Sequence, residues 1–453
     1  MMSGRAVFAC VAIHVTSSPV PDAYCTIRDS HVPLDSLRSN SSRMWQSITT
    51  MASLGLFEGP EGSQGVSREA LTDIDVSSRR LLDSWAKQLR LHRDVDVVGN
   101  TYYRRPGRKP GSGVVAFGSH LDTQPEGGRF DGSYGVLAGL EVLRVLDESG
   151  IETDADLELV NWSNEEGCRF SPPMMGSGVA TGQLSVEAAR SSTARNDPAT
   201  TFGSELQRHA LVGTAVADVK SRSWTSYFEA HIEQGPTLYD SGVPVGVVIG
   251  GQGQRLFTVH VSGFEGHSGT VPMDKRQDAL VCASAMVIEV RNIGISYTVL
   301  TTVGSFSVSP GSFNTIPGRV TFSIDMRSPN TTAMDLAEEK IRRRFASIAA
   351  LENCPETAIT RTKSRNPIEF DPQLSARLHD AASTLGLQAS SLWSGAGHDA
   401  CYVAEKVPAA MLFAPCKDGI SHNPRESATP ADLALGVDVL LRAVLGTAVE
   451  TAC

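Results

Sequence analysis

The chain reads Val114-Val115-Ala116-Phe117-Gly118-Ser119-His120-Leu121-Asp122 at the position that decides its fold. A short apolar run that passes into a turn is typical of a buried strand. Residues 135–146 follow it and repeat apolar side chains at the spacing of a helix. Further buried strands are predicted at 157–162, 225–231 and 409–414. Strands that alternate with helices predict an α/β fold with a mixed, mostly parallel sheet.

The middle of the chain has a different pattern. Residues 255–261 and 319–327 alternate apolar and polar side chains, as half-solvated antiparallel strands do, and 278–293 has helical spacing. This predicts a small α+β domain inserted into a larger, discontinuous one. Further helices are predicted at 34–54, 70–91, 371–385 and 430–445. The predicted units are a poorly ordered N-terminal extension at 1–33, the catalytic domain at 34–252 and 367–453, and the inserted domain at 253–366.

Composition restricts the partners and the compartment. A formal net charge of −10 argues against nucleic acid and anionic membranes as partners. No stretch approaches the roughly 20 consecutive apolar residues of a membrane-spanning helix. The eight cysteines are scattered and form no C-x-x-C pair, which is typical of a reduced, cytoplasmic protein.

Residues that can bind a metal ion follow the predicted strands. The carboxyl ends of parallel strands meet at one edge of a sheet, where ligands bind. The candidates are His120, Glu165, Glu166, His231 and His422 after strands, and Asp131 before the helix at 135–146. Imidazoles combined with carboxylates suit zinc and similar metals. Two ions roughly 3.5–4 Å apart share a bridging ligand, for which Asp131 is the candidate. Asp122 is a candidate to accept the imidazole N–H of His120 and so fix its tautomer.

Each of these residues also has an ordinary structural explanation. A histidine at a strand end is often a hydrogen-bonded structural residue, and adjacent Glu165 and Glu166 would suit a solvated loop. Asp131 could be an N-cap and Asp122 a turn residue. The combination favours a metal site, because each residue lies at a strand end or a helix start.

Several longer motifs resemble the hydantoinase/carbamoylase branch of the M20 metallopeptidase-like amidohydrolases, and the resemblance covers nearly everything from residue 34 onward. The motifs are Gly118-Ser119-His120-Leu121-Asp122-Thr123-Gln124-Pro125, Gly127-Gly128-Arg129-Phe130-Asp131-Gly132, Asn164-Glu165-Glu166-Gly167-Cys168-Arg169-Phe170, Phe228-Glu229-Ala230-His231-Ile232-Glu233-Gln234-Gly235-Pro236, Gly266-His267-Ser268-Gly269-Thr270, Asn314-Thr315-Ile316-Pro317-Gly318, Ser394-Gly395-Ala396-Gly397-His398-Asp399-Ala400 and Asp418-Gly419-Ile420-Ser421-His422-Asn423. Ser268 and Cys168 depart from the residues that are common in this branch, and both are small.

The resemblance implies a site and an assembly. It implies two divalent ions per subunit, zinc first, with manganese, cobalt or nickel as alternatives. The implied metal ligands are His120, Asp131, Glu166, His231 and His422. Glu165 would be the general base, and His267 would stabilise the oxyanion of the tetrahedral intermediate. The implied substrate contacts are Gln234, Asn314, Arg327 and His398. The inserted domain would act as a lid and form a homodimer in which His267 reaches the partner's site.

The resemblance also implies a reaction. Members of this branch cleave the linear amide or ureido C–N bond of small substrates that carry a carboxylate. N-carbamoyl amino acids or N-carbamoyl-β-alanine are expected to give amino acid, CO2 and ammonia. The alternatives are an allantoate or ureidoglycolate amidohydrolase and an M20-type dipeptidase. A binding protein on a degenerate enzyme scaffold would have lost ligands or the base, and all of them are present here.

Overall fold

The computed structural model describes residues 36–449, so the predicted extension at 1–33 lies outside the described residues. The helices are α1 Ser41–Ala52, α2 Asp73–Gln88, α3 Ser133–Glu148, α4 Met175–Ala180, α5 Val186–Ser191, α6 Phe202–Arg208, α7 Thr237–Ser241, α8 Ala279–Tyr297, α9 Thr331–Leu351, α10 Pro372–Thr384, α11 Asp399–Val403 and α12 Pro430–Ala448. The strands are β1 Leu56–Glu58, β2 Gln64–Val66, β3 His92–Val95, β4 Thr101–Arg105, β5 Val114–His120, β6 Asp156–Trp162, β7 Thr193–Ala194, β8 Asp197–Thr201, β9 Trp224–Ile232, β10 Val245–Gly251, β11 Gly253–Ser262, β12 Gly266–His267, β13 Leu300–Thr302, β14 Phe306–Ser309, β15 Thr315–Ile316, β16 Arg319–Ser328, β17 Glu356–Arg365, β18 Ile368–Glu369, β19 Ala389–Ser394 and β20 Ala409–Ala414.

A nine-stranded sheet forms the larger part of the molecule. Its order is β18-β10-β20-β9-β5-β6-β4-β3, and β19 pairs with β10. The central strands β6, β5, β9 and β20 run parallel to one another, whereas β4 and β3 on one flank and the β10–β20 and β10–β18 pairs on the other are antiparallel. The parallel centre therefore brings the carboxyl ends of four strands to one edge.

Strand β5 is buried on both faces, as its unbroken apolar sequence predicts. Val115 and Phe117 contact the core on one face, whereas Val114 and Ala116 contact the core on the other. Helices α1, α3, α10 and α12 supply most of the helical part of the first core. This two-sided burial fixes the register of β5, because a shift of one residue would exchange the faces of every side chain.

A second, antiparallel sheet has the order β13-β16-β11-β17, and β14 also pairs with β16. Alternate residues of β16, from Val320 to Met326, are buried beneath α8 and α9. The residues between them are partly exposed and face the other side, the open face of this sheet. In the same described part, α8 is the one helix whose length and composition would suffice to cross a membrane. Its Met286 and Val290 are buried in the core of this second sheet.

The predicted fold class is confirmed, a mixed α/β sheet with an inserted α+β unit. All strands of the second sheet lie between Gly253 and Arg365, and the predicted boundaries at 34–252, 253–366 and 367–453 remain a prediction. Strands β10 and β17 and helix α9 had no counterpart among the predicted elements.

Candidate metal centre

The carboxyl edge of the parallel strands gathers the candidate ligands. Strand β5 ends at His120 and strand β9 ends one residue after His231, while Glu165 and Glu166 follow β6. His422 follows β20 through a loop and has a φ of 53°. Each side chain is therefore placed by a strand end, as the sequence pattern predicts.

Asp131 lies at the centre of this group. Its Oδ1 is 3.1 Å from Nε2 of His231 and 3.8 Å from Nε2 of His120. Its Oδ2 is 3.2 Å from Nε2 of His422, which is also 3.5 Å from Oε2 of Glu166. Two sets of ligand atoms, each within 4.8 Å, share this carboxylate: His120, Asp131 and His231, and Asp131, Glu166 and His422.

Backbone carbonyls fix the tautomers of two imidazoles. Nδ1 of His120 lies 2.9 Å from the carbonyl oxygen of Asp122, and Nδ1 of His231 lies 2.9 Å from that of Ile232. A carbonyl oxygen only accepts, so each Nδ1 carries a proton, and in the neutral imidazole Nε2 then presents a lone pair towards Asp131. Without a cation in the site, the burial of His231 is outweighed by hydrogen bonding to Asp131, which raises the pKa of His231 to about 9. Burial lowers the pKa of His120 to about 4, which keeps this imidazole neutral.

The carboxylate of Asp122 was predicted to accept the imidazole N–H of His120, and the structure shows a different contact. The carboxylate oxygen of Asp122 is 3.8 Å from Nδ1 of His120, too far for a hydrogen bond, and its backbone carbonyl takes that contact instead. The carboxylate accepts the backbone N–H groups of Glu165 and Glu166, each at 3.2 Å. Asp122 therefore holds the loop that carries both glutamates.

Negative charge is crowded at this edge. Burial, followed by repulsion from Asp131, raises the pKa of Glu166 to about 8. Burial and repulsion from Asp399 and Glu166 raise the pKa of Glu165 as well. Carboxylates packed this closely resist ionisation unless cations neutralise them.

The residues fit two divalent ions. The Nε2 lone pairs and the carboxylate oxygens are the ligand types that zinc and neighbouring metals take in proteins. Asp131 belongs to both groups, as a bridging carboxylate must. The crowding of the acids supplies the charge that such ions would balance.

A cleft of about 580 Å³ opens from this edge, and it is lined by both sheets. Gln234, Arg327 and His398, the predicted substrate contacts, line it. Gln234 donates its amide N–H to Asp131 at 2.8 Å. Arg327 is paired with Asp325 at 2.8 Å, and Nε2 of His398 is buried without a hydrogen-bond partner among the described residues.

His267 and Asn314 do not line this cleft. They lie together in an exposed region where β12 and β15 form a separate two-stranded sheet and Ser268 donates its N–H to the carbonyl of Asn314 at 3.0 Å. Nδ1 of His267 accepts the N–H of Gly269 at 3.1 Å. In the neutral imidazole, Nε2 of His267 then carries the proton and is a donor to solvent.

The predicted site omits two residues that support it. Gln124 donates its side-chain N–H to Oε2 of Glu166 at 2.7 Å and its backbone N–H to Oε1 at 3.1 Å. Buried Glu426 accepts N–H groups of Phe130 and Asp131 and thereby fixes the loop that carries the shared carboxylate. Gln124 lies within the motif at residues 118–125, whereas nothing in the sequence pattern indicates a role for Glu426.

A family model described as peptidase family M20/M25/M40 matches residues 116–446. The chain belongs to this family. Enzymes of the family are hydrolases, and this chain keeps the candidate ligand groups that a metal-dependent member needs.

Relatives of this M20/M25/M40 chain are amidohydrolases. An N-carbamoyl-L-amino-acid amidohydrolase of Rhizobium meliloti is 39% identical over 92% of the chain and 98% of its own length. A ureidoglycolate hydrolase of Oryza sativa is 31% identical over 84% of the chain and 80% of its own length. The crystal structure of a hydantoinase/carbamoylase family amidase from Burkholderia multivorans superposes with a TM-score of 0.86 at 42% identity, covering 92% of this chain and all of that one.

Proposed function

We propose that this protein hydrolyses the ureido C–N bond of N-carbamoyl amino acids, either L-α-amino acids or N-carbamoyl-β-alanine. The products are the amino acid, CO2 and ammonia. The observation that carries the proposal is the sharing of Asp131 by two ligand groups beside Glu165. The amidohydrolase relatives support the choice of bond.

His120, Asp131 and His231 would hold one divalent ion, and Asp131, Glu166 and His422 the other, with zinc as the first choice and manganese, cobalt or nickel as alternatives. Such ions, when bound, supply Lewis acidity that makes water more acidic and a carbonyl carbon more electrophilic. Gln124 and the backbone contacts of His120 and His231 orient these ligands.

Glu165 is the general base of the proposal. Its Oε2 lies 3.5 Å from Nε2 of His120, so it borders the first ligand group without belonging to either. Water attacks the carbamoyl carbon while Glu165 accepts one of its protons. Glu165 then donates that proton to the amino nitrogen as the C–N bond breaks. The amino acid leaves with carbamate, which decomposes to CO2 and ammonia.

The substrate contacts complete the proposal. Arg327 lines the cleft and would bind the substrate carboxylate with the N–H groups that Asp325 and the carbonyl of Gly395 leave available, because a guanidinium matches a carboxylate at two points. Gln234 and His398 line the same cleft and would contact the ureido group.

A homodimer would supply His267 and Asn314, which are exposed and outside the cleft of their own chain. Helix α8 exposes Val281, Ile288 and Ile295, one apolar residue every seven along one stripe. Such a stripe on the second sheet's outer layer supports a contact between two copies. We include in the proposal that His267 of the partner subunit donates to the oxyanion in each site.

The compartment is also part of the proposal. The five cysteines among residues 36–449 are free and buried, as expected in the reducing cytoplasm: Cys168, Cys282, Cys354, Cys401 and Cys416. The net charge of −10 remains the reason to expect no nucleic-acid or anionic membrane partner.

The function is tested with zinc-loaded protein against N-carbamoyl-L-amino acids, N-carbamoyl-β-alanine, allantoate, ureidoglycolate and dipeptides, with ammonia and amino acid measured separately. The proposal expects equal amounts of ammonia and amino acid from the carbamoyl compounds. Turnover of ureidoglycolate alone would favour the second candidate, which the Oryza sativa relative supports. Amino acids from dipeptides without ammonia would indicate a peptidase.

A further inference from the structure

The open face of the second sheet carries an ordered set of charges. The β-pairing places Arg327 and Arg365 on either side of Gln254, and Asp325 and Lys363 on either side of Leu256. Residues two apart on a strand share a face. The face therefore holds three cations and one carboxylate in two adjacent rows, and most of these residues line the cleft.

One cation of the three is already neutralised. The guanidinium of Arg327 lies 2.8 Å from Oδ2 of Asp325 and also donates to the carbonyl of Gly395 at 2.8 Å. Gln254 donates its amide N–H to the same Asp325 at 3.1 Å. Asp325 is therefore paired with Arg327 and Gln254, which lie in the neighbouring row.

The other two cations have no carboxylate partner among residues 36–449. Among the residues that the structure describes, the side chain of Arg365 makes one hydrogen bond, to the carbonyl of Gln252 at 3.4 Å, and that of Lys363 makes neither a hydrogen bond nor an ion pair. Burial, and then repulsion from Arg365 and Arg327, lower the pKa of Lys363, and attraction from Asp325 offsets only part of this. A half-buried cation held beside like charges is unfavourable unless an anion reaches it.

The other acids that line the cleft, Asp131, Glu165 and Glu166, lie at the candidate metal centre. Asp131 contacts three imidazoles, and Glu166 accepts from Gln124. The open face thus presents two uncompensated positive charges, since three cations face one carboxylate. The carboxylate common to all the proposed substrates, bound at Arg327, lowers the net charge of the face from two positive charges to one, and that charge remains at Lys363 and Arg365.

We propose that Lys363 and Arg365 bind a second carboxylate, carried by the side chain of the substrate. The preferred substrates are then N-carbamoyl derivatives of acidic amino acids. This inference rests on the proposed function. The backbones of β16 and β17 lie two strand spacings apart, roughly 10 Å, and the long side chains of Arg327, Lys363 and Arg365 all line the same cleft, where one dicarboxylate can contact both strands.

The test compares kcat/KM for N-carbamoyl-L-glutamate and for N-carbamoyl-L-glutamine, which has the same shape without the second charge. The wild type is expected to prefer the glutamate derivative. Lys363→Met and Arg365→Met should each reduce kcat/KM for that substrate roughly 10- to 100-fold and leave the glutamine derivative nearly unchanged. Lys363→Arg, which keeps the charge, should keep the preference. Lys87→Met, an exposed lysine of α2 outside the cleft, is the matched control.

Binding without turnover gives a second readout. Calorimetry on Glu165→Gln protein should show tighter binding of the glutamate derivative than of the glutamine derivative, and Lys363→Met should remove the difference. Equal losses on both substrates, or a wild type without the preference, would overturn the inference and leave the proposed function standing. A metal-loaded wild type that hydrolyses neither compound would instead overturn the proposed function and this inference together.

Discussion

The carboxyl edge of the large sheet and the open face of the second sheet line one cleft but carry opposite charge: carboxylates crowd the edge, and cations crowd the open face. At the edge, the buried carboxylates of Asp131 and Glu166 face imidazoles at 3.1 to 3.8 Å. On the open face, Lys363 and Arg365 are half-buried cations without a carboxylate partner in the described chain. The first region has ligands that suit resident divalent metal ions. The second has cations that suit a carboxylate of the substrate.

The largest effect is expected at the base. Glu165→Gln should reduce turnover roughly 10²- to 10⁴-fold, because proton transfer to and from the reacting groups is lost. Its metal content should stay that of the wild type by elemental analysis, since Glu165 belongs to neither ligand group. Glu166→Gln is the matched control and should lose metal. Loss of metal from both variants would mean that the two glutamates share the ligand role.

The shared active site is tested by mixing two inactive proteins, Glu165→Gln and His267→Ala. A mixed dimer would hold one site with both defects and one with neither. Activity should return to about a quarter of wild type after random exchange, because about half of the dimers are mixed. Exchange is verified with two differently tagged chains. Mixed dimers that form and stay inactive would show that each site uses His267 of its own chain.

A substitution at Arg327 tests whether this residue of the open face binds the substrate carboxylate. Arg327→Ala should lower kcat/KM for N-carbamoyl amino acids roughly 10- to 100-fold, since a charge-assisted contact to the substrate carboxylate is removed. Analogues whose carboxylate is amidated should lose far less. A similar loss on both kinds of substrate would assign Arg327 to the fold, where it holds Asp325 and Gly395.

The smallest effect is expected at Gln124, whose side chain touches the edge without being a ligand. Gln124→Leu should weaken metal binding roughly tenfold, because the 2.7 Å hydrogen bond that orients Glu166 is lost. Competition with a chelator measures the change. Unchanged affinity would show that the backbone N–H of Gln124 is sufficient to orient Glu166.

The residues at the carboxyl edge of the large sheet are easier to predict from the sequence than those on the open face of the second sheet, because the strands that carry them differ in burial. His120 ends a fully buried strand and His231 lies one residue before the end of a strand with eight of nine residues buried, and the apolar runs of such strands are easily recognised. Strand β17 contains no buried residue, so it lacks the apolar signal that marks a strand. Because β17 was not predicted, Lys363 and Arg365 could not be placed in the cleft.

The hydrogen-bond partners of Asp122 could also not be predicted from the sequence. The spacing of His120 and Asp122 predicts that they interact, but it does not distinguish the carboxylate from the backbone carbonyl of Asp122 as acceptor. The structure shows the carbonyl in contact with His120 and the carboxylate with the Glu165 and Glu166 loop. Such choices depend on the turn geometry after β5.

Anomalous diffraction from crystals of zinc-loaded Glu165→Gln protein with a bound N-carbamoyl-L-amino acid tests the central claim most directly. Two zinc peaks roughly 3.5–4 Å apart should flank Asp131, with the ureido group beside residue 165 and the substrate carboxylate at Arg327 on the open face. A single zinc peak, two peaks that do not share Asp131, or a substrate carboxylate bound at the zinc ions instead of Arg327 would contradict it.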